Sequence, residues 1–326
     1  MFDVDTTNIS KITQLDHFLG VTPFSRTLLI TLNIIIILIG IAGNSFVLYA
    51  SANPEHLKID TMSMRLLKNI AVNNVIISVL YYGPILITLM CNRWVLGSVI
   101  CYFTGIFSCA VPFANDFLVT VSLSCYRLYV VVKGSARRHP TSIQTNLFIA
   151  LLWLLSFTPT LILSVLYNIY AYFSPYLLTC IRSGYTDQGY MSVYLVILSC
   201  MLALVAVVAN FTIRWLIVRQ HFKVQRAGKL STNALLIVSS ISCSMLLSYI
   251  PYCIRVIKDA VKYPSLDNWF YIFQVYMLSI NVVILPVIYI FSFRQFRNKL
   301  TNLSSRISVR VRLSAHVVSN AEVMSA

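Results

Sequence analysis

The sequence predicts an all-α integral membrane protein: a bundle of seven transmembrane helices followed by a short amphipathic helix on the membrane surface. Three observations predict it. Only 11% of the 326 residues are charged and 58% are hydrophobic, whereas an ordinary soluble domain carries roughly 25% charged residues. The apolar residues gather in seven blocks, near 27–50, 66–90, 99–131, 146–168, 190–218, 233–257 and 268–292. Each supplies the ~20 residues that a helix needs to cross the hydrocarbon core. Lysine and arginine are shared very unequally between the loops on the two sides of those blocks.

Each block is expected to be helical because a segment in lipid must satisfy its own backbone polar groups. A membrane barrel would instead show shorter dyad segments. The first span contains Gly43-Asn44 and the second Asn69-Ile-Ala-Val-Asn-Asn74. The third starts beside Cys101 and carries both Asp116 and Arg127; the fourth holds Trp153 and the fifth has no proline. The sixth and seventh hold Pro251 and Pro286, each of which removes a helix hydrogen bond and allows a bend. Beyond the seventh, Phe293, Phe296 and Leu300 recur at three- and four-residue spacing with bases between them, the pattern of an amphipathic helix lying on a membrane.

Orientation follows from the basic residues. One side carries fifteen, from Lys58 and Arg65 through Lys133, Arg137, Arg138, Arg219, Lys223, Arg226 and Lys229 to six more in the tail, and the other carries six. The richer side is expected inside, so residues 1–26 form an extracellular N-terminus, 27–300 the membrane domain with its surface helix, and 301–326 a Ser-rich, disordered cytoplasmic tail. The start of the chain holds Asp3, Asp5 and Asp16 and no apolar core, so it does not read as a cleaved signal peptide. This charge asymmetry accounts for much of the +15 net charge without nucleic acid; the basic tail fits acidic lipid headgroups.

On this topology Cys101 and Cys180 both face an oxidising compartment, which permits a bridge. Cys109, Cys125, Cys200, Cys243 and Cys253 lie in spans as small apolar fillers, and Cys91 has no evident partner. Asn8 heads the external sequon Asn8-Ile9-Ser10 and is a candidate for glycosylation.

These residues resemble the rhodopsin-like (class A) G-protein-coupled receptors over about 27–300. Asn69 to Asn74 resembles the family's Asn-Leu-Ala-x-x-Asp, and Trp94-x-x-Gly97-x-x-x-Cys101 its first outer loop. Arg127 falls at the arginine of Asp-Arg-Tyr, one residue further from Cys101 than is usual. Ser248-Tyr-Ile-Pro251 resembles Cys-Trp-x-Pro, and Leu285-Pro-Val-Ile-Tyr289 resembles Asn-Pro-x-x-Tyr, with Phe296-Arg297 following. Asn74, Tyr126, Tyr249 and Leu285 depart from the pattern, which makes this a divergent, orphan-type member. The resemblance implies an extracellular ligand, a heterotrimeric G protein, arrestin as a further partner, and no enzymatic activity.

It also assigns roles. Arg127 would meet the G protein once the sixth helix swings outward about Pro251, with Tyr249, Pro286 and Tyr289 as further moving parts. The family's arginine pairs with a neighbouring acid; here Tyr126 precedes it and the approach to the sixth span offers Lys229. The expectation is an unrestrained arginine and raised basal signalling, the alternative being that Arg127 snorkels to the headgroups. Tyr249 is equally readable as ordinary aromatic packing.

Asp116 is the only acid within a span, about 16 Å of helix from Arg127. Two readings stand. Asn74, Asp116 and Asn281 hold a hydrated Na⁺, a hard cation suited to oxygen ligands, or Asp116 is protonated and hydrogen-bonded to Asn74 or Asn281.

No acid sits near Cys109 and Ala110, where amine receptors hold one, and the seventh span has no lysine for a retinal Schiff base. All five histidines lie outside the spans, which excludes an intramembrane histidine metal site. The external charges Arg182, Asp187, Arg255, Lys258, Asp259 and Lys262 fit a peptide or an acidic small molecule, or a solvated rim. Tyr81, Tyr82, Tyr252, Phe273 and Tyr276 line a cavity or pack helices. No phosphate loop, metal-ligand pair or nucleophile–base arrangement is present. The competing functional classes are a non-signalling seven-span scavenger receptor and a channel or transporter.

Overall fold

The structure is a computed structural model that describes residues 23–51, 60–108, 110–133, 140–166, 171–174, 177–182, 189–220, 232–260, 268–292 and 301. Eight helices and one two-stranded sheet form among the described residues. Helix α1 runs Pro23–Leu38, through a π-helical turn at Ile39–Gly43, to Asn44–Ala50. Helix α2 is built likewise from Thr61–Ile77, a π turn at Ser78–Tyr82, and Gly83–Cys91. Pro84 has no N–H to continue the ladder, and the π turn before it absorbs the mismatch. Asp60 starts α2 as its N-cap, accepting the Ser63 N–H at 3.0 Å, and Asn92 stops it at φ 55°, a left-handed conformation that terminates helices.

Helix α3 comprises Gly97–Phe103 and a π turn at Thr104–Ser108; Ala110–Lys133 follows as α4. Helix α5, Ser142–Leu166, opens on a reciprocal capping box. The Gln144 N–H donates to the Thr141 hydroxyl at 3.2 Å and the Thr141 N–H donates to Gln144 Oε1 at 2.9 Å. Strands β1 (Ala171–Ser174) and β2 (Thr179–Arg182) pair antiparallel, with Phe173 opposite Cys180. Helices α6 (Gly189–Gln220), α7 (Thr232–Ala260) and α8 (Asn268–Ser292) complete the set. Every predicted apolar block is thus helical where it is described, and the hairpin was not foreseen.

Helix α1 meets α2 and α8, α8 meets α7, α7 meets α6, and α4 packs against α2, α5, α6 and α7. Gly40 lies where α1, α2 and α8 crowd together. A Cβ there would sit 1.9 Å from Ser78 Oγ and 2.9 Å from Val282 Cγ1, so only glycine permits that approach.

Two apolar clusters are separated by a polar belt, and the order repeats along four helices. At one end are Val47, Met64, Leu67, Val119, Leu123, Leu285 and Tyr289; at the other are Leu29, Tyr82, Ile85, Phe113, Val275 and Leu278. Between them, buried on α1, α2, α4 and α8, lie Asn44, Asn73, Asn74, Asn115, Asp116 and Asn281.

The outer surface is apolar, with Leu147, Leu151, Leu154, Leu155, Met201, Leu204 and Phe211 all exposed. Soluble monomers rarely show so much contiguous apolar surface. Among the described residues, four helical stretches are long and apolar enough to cross a membrane: Phe24–Ala50, Thr61–Cys91, Ser142–Ile162 and Trp269–Phe291. Cys200–Leu216 is a shorter apolar stretch. The protein is therefore a helical, membrane-embedded one. Asn8, Cys109, Asp187, Lys229, Lys262, the surface helix at 293–300 and the tail beyond Thr301 lie outside the described residues, as do the side chains of Arg182 and Asp259.

Candidate functional site

At one end of the bundle Arg127 is 5% exposed, and its Nη1 lies 3.3 Å from Asp60 Oδ2. This overturns the expectation of an arginine without an acid. The partner comes from neither its own helix nor α7 but from the N-cap of α2. The two carboxylate oxygens divide their work: Oδ1 accepts the Ser63 N–H and Oδ2 faces the guanidinium. Local geometry explains the precision. The cap fixes the Asp60 rotamer, and Met64 N–H donates to the Asp60 carbonyl at 3.0 Å as the first helical bond. Raised basal output from an unrestrained arginine loses its premise, and burial is incompatible with Arg127 snorkelling to headgroups. Tyr289, fully buried at the end of α8, lies within electrostatic reach of the same guanidinium. The Tyr126 ring packs on Tyr129, centroids 6.3 Å apart.

In the polar belt Asp116 is 2% exposed, and the side chain that acts on its carboxyl is Asn73 rather than Asn74 or Asn281. The Asn73 amide donates to the Pro112 carbonyl at 2.6 Å and so ties α2 to α4. Asn74 Nδ2 donates to Asn44 Oδ1 at 3.1 Å and to the Asn281 carbonyl at 3.4 Å. Asn281 Nδ2 donates to Ser248 Oγ at 2.8 Å, while its Oδ1 accepts from Ser244 at 3.2 Å. Of the three expected cation ligands, Asn74 and Asn281 are therefore joined directly and Asp116 stands on a separate bond. Asp116 Oδ1, Asn73 Oδ1, Asn74 Oδ1 and Thr120 Oγ1 are buried without a hydrogen-bond partner. A set of oxygens with unused lone pairs, one from a carboxylate, suits a hard monovalent cation or water.

Tyr249 links α7 to α4 beside the belt. Its hydroxyl donates to the Phe113 carbonyl at 2.9 Å, and its ring meets Phe113, Phe117 and Tyr252 edge-on at 6.4, 5.9 and 6.4 Å. Pro251, two residues on, is buried within α7, and Pro286 lies within α8. The aromatic contacts match the packing reading of Tyr249, and the hydroxyl adds a specific hook onto α4.

At the opposite end Cys101 and Cys180 form a disulfide, with Cα atoms 5.2 Å apart. It pins the β1–β2 hairpin to α3, where Gly105 leaves room: a Cβ there would lie 2.8 Å from Ala171 Cβ. Beside the bridge Trp94 packs on Phe173, centroids 5.7 Å apart. The hairpin turn enters the bundle, burying Leu177 and Leu178 in one cluster with Tyr81, Tyr82, Ile85 and Val275. Leu178 holds φ 58°, a strain of about 1–2 kcal/mol that its full burial, about 1.5–3 kcal/mol, offsets. Tyr81 and Tyr82 are core residues, Tyr276 bonds Asn33, and Phe273 faces outward. Arg255 is 7% exposed over the Tyr252 ring at 5.4 Å, so it is no solvated rim charge.

Sequence reasoning missed Asp60, Asn73 and Leu178. Asp60-Thr61 just before an apolar helix is a legible cap signal, but nothing local announces that its second oxygen meets Arg127. No family model matches the sequence, and no curated protein matches it.

Proposed function

We propose that this chain is a cell-surface receptor of the rhodopsin-like class that binds an extracellular peptide or small molecule and activates a heterotrimeric G protein. The observation that carries the reading is the burial of Arg127 against Asp60 at the end of the bundle opposite the Cys101–Cys180 bridge. A buried arginine is expensive unless it is paired. Its retention at one rim, beneath a polar belt and a disulfide-pinned cap, fits a transmission residue held in a resting state.

On this reading all seven apolar segments cross the plasma membrane. Residues 1–26 are outside, 27–300 form the receptor domain with its surface helix, and 301–326 are the cytoplasmic tail. Ligand binding at the disulfide end favours a conformer in which α7 bends outward about Pro251, releasing the Tyr249 hook on Phe113. Arg127 then leaves Asp60 and meets the G protein, with Tyr289 and Pro286 moving on α8; arrestin uses the same opened face. A ligand can shift this equilibrium only by binding the open state more tightly than the closed one. Na⁺ would be held by Asp116 and Asn74, whose Oδ1 atoms carry no hydrogen bond, beside Asn281, whose Oδ1 is already engaged by Ser244. The cation would neutralise the buried carboxylate and tie α2 to α4 in the resting state.

The test is nucleotide exchange on a panel of G proteins by the full chain in lipid nanodiscs, with and without ligands from a screen. Exchange above empty discs, lost in a folded Arg127→Ala variant, is the expected result. Ligand binding with no exchange and no arrestin recruitment would select the scavenger reading, and an ion flux would select the channel.

A further inference from the structure

At the arginine end, between α4 and α6, the outer surface holds a groove of about 540 Å³. Its walls include Leu128, Tyr129, Val132 and Lys133 from α4 and Val205 and Val208 from α6. The α4 residues lie on one helix face, turned away from the buried Leu123 and Val130. Val132 and Val208 are 62% and 54% exposed, so the groove opens outward onto the apolar surface.

The groove is of the size of a small-ligand site, roughly 300–1,000 Å³, but it lacks the convergent polar groups by which such sites orient a polar solute. Its walls are almost wholly hydrocarbon, which favours an acyl chain. Among the described residues of the lining, the charge is Lys133. Lys133 stands in the last turn of α4 and is exposed, and no carboxylate lines the groove among the described residues. A lysine there lays its stem along apolar surface and carries its ammonium to headgroup level, where it attracts a net negative headgroup and gains little from a zwitterionic one.

We propose that this groove holds an acyl chain of an anionic phospholipid whose net-negative headgroup meets Lys133. The proposal needs only a bilayer around the helices and does not depend on the receptor reading.

The experiment uses the full chain in nanodiscs of phosphatidylcholine with a minority of phosphatidylserine, extracted into detergent, with retained lipid read by native mass spectrometry. The wild type is expected to retain phosphatidylserine several-fold over its share of the disc. Lys133→Gln should abolish that preference, Lys133→Arg should keep it, and Lys258→Gln on α7 should leave it unchanged. Val208→Trp, which fills the groove from an exposed position, should lower retention of both lipids. Thermal unfolding of each variant confirms that it is folded. Equal retention of the two lipids by the wild type, an undiminished preference in folded Lys133→Gln, or retention of an added sterol in place of phospholipid would each overturn the proposal.

Discussion

Arg127 Nη1 and Asp60 Oδ2 lie 3.3 Å apart with both side chains more than nine-tenths buried, and the same aspartate caps α2. One residue therefore starts a helix and holds the charge of another. Removing one member of a buried pair strands the other, at about 3–5 kcal/mol, and losing a cap costs roughly 1 kcal/mol more. Asp60→Ala is expected to lower stability by the sum of these effects. Asp60→Asn keeps a capping oxygen and should lose less. Thermal unfolding in detergent compares the two; equal losses would show that the cap contributes nothing.

Asp116 carries an unpartnered Oδ1 in the polar belt. If Na⁺ binds there, sodium at ten times its Kd adds about 1.4 kcal/mol of stability. The unfolding midpoint should rise when a large organic cation is replaced by sodium, and Asp116→Asn should abolish the rise. A midpoint insensitive to sodium in the wild type would leave Asp116 as a hydrogen-bonded carboxyl held by Asn73.

Leu178 is buried in the apolar cluster that includes Tyr82, Ile85 and Val275, two residues from the disulfide. Truncating a buried leucine typically costs about 2–5 kcal/mol. Leu178→Ala should show that loss, whereas Tyr172→Ala, at an exposed strand position, should change stability by under ~0.5 kcal/mol. Similar losses for both would mean that the hairpin turn is not seated in the bundle.

Gly40→Ala places a methyl 1.9 Å from Ser78 Oγ at the meeting of α1, α2 and α8. Overpacking of this kind costs about 1–3 kcal/mol. Gly83→Ala meets nothing within 4 Å and should be neutral or slightly stabilising. Unfolding midpoints of the two variants check the contrast.

Hydrophobic patterning made the helices legible, because length and apolarity act along the chain. The Cys101–Cys180 bridge was readable as a permitted pairing. What sets Asp60 against Arg127, or Asn73 rather than Asn74 against Asp116, is the rotation of α2 about its axis. One residue along a helix turns a side chain by about 100°, so neighbouring asparagines face different partners. The local signal at Asn73 and Asn74 is the same amide twice. The β1–β2 hairpin was obscured for another reason: four-residue strands among span-forming residues carry no period of their own.

The most direct measurement of the central claim is basal nucleotide exchange by the full chain bearing Asp60→Asn, in nanodiscs and at matched folded protein. The substitution leaves the α2 cap an acceptor oxygen and removes only the charge that faces Arg127. Basal exchange several-fold above wild type, lost again when Arg127→Ala is added, is the predicted result. Basal exchange equal to wild type in folded Asp60→Asn would contradict the account, because Arg127 would then not be held at rest by Asp60.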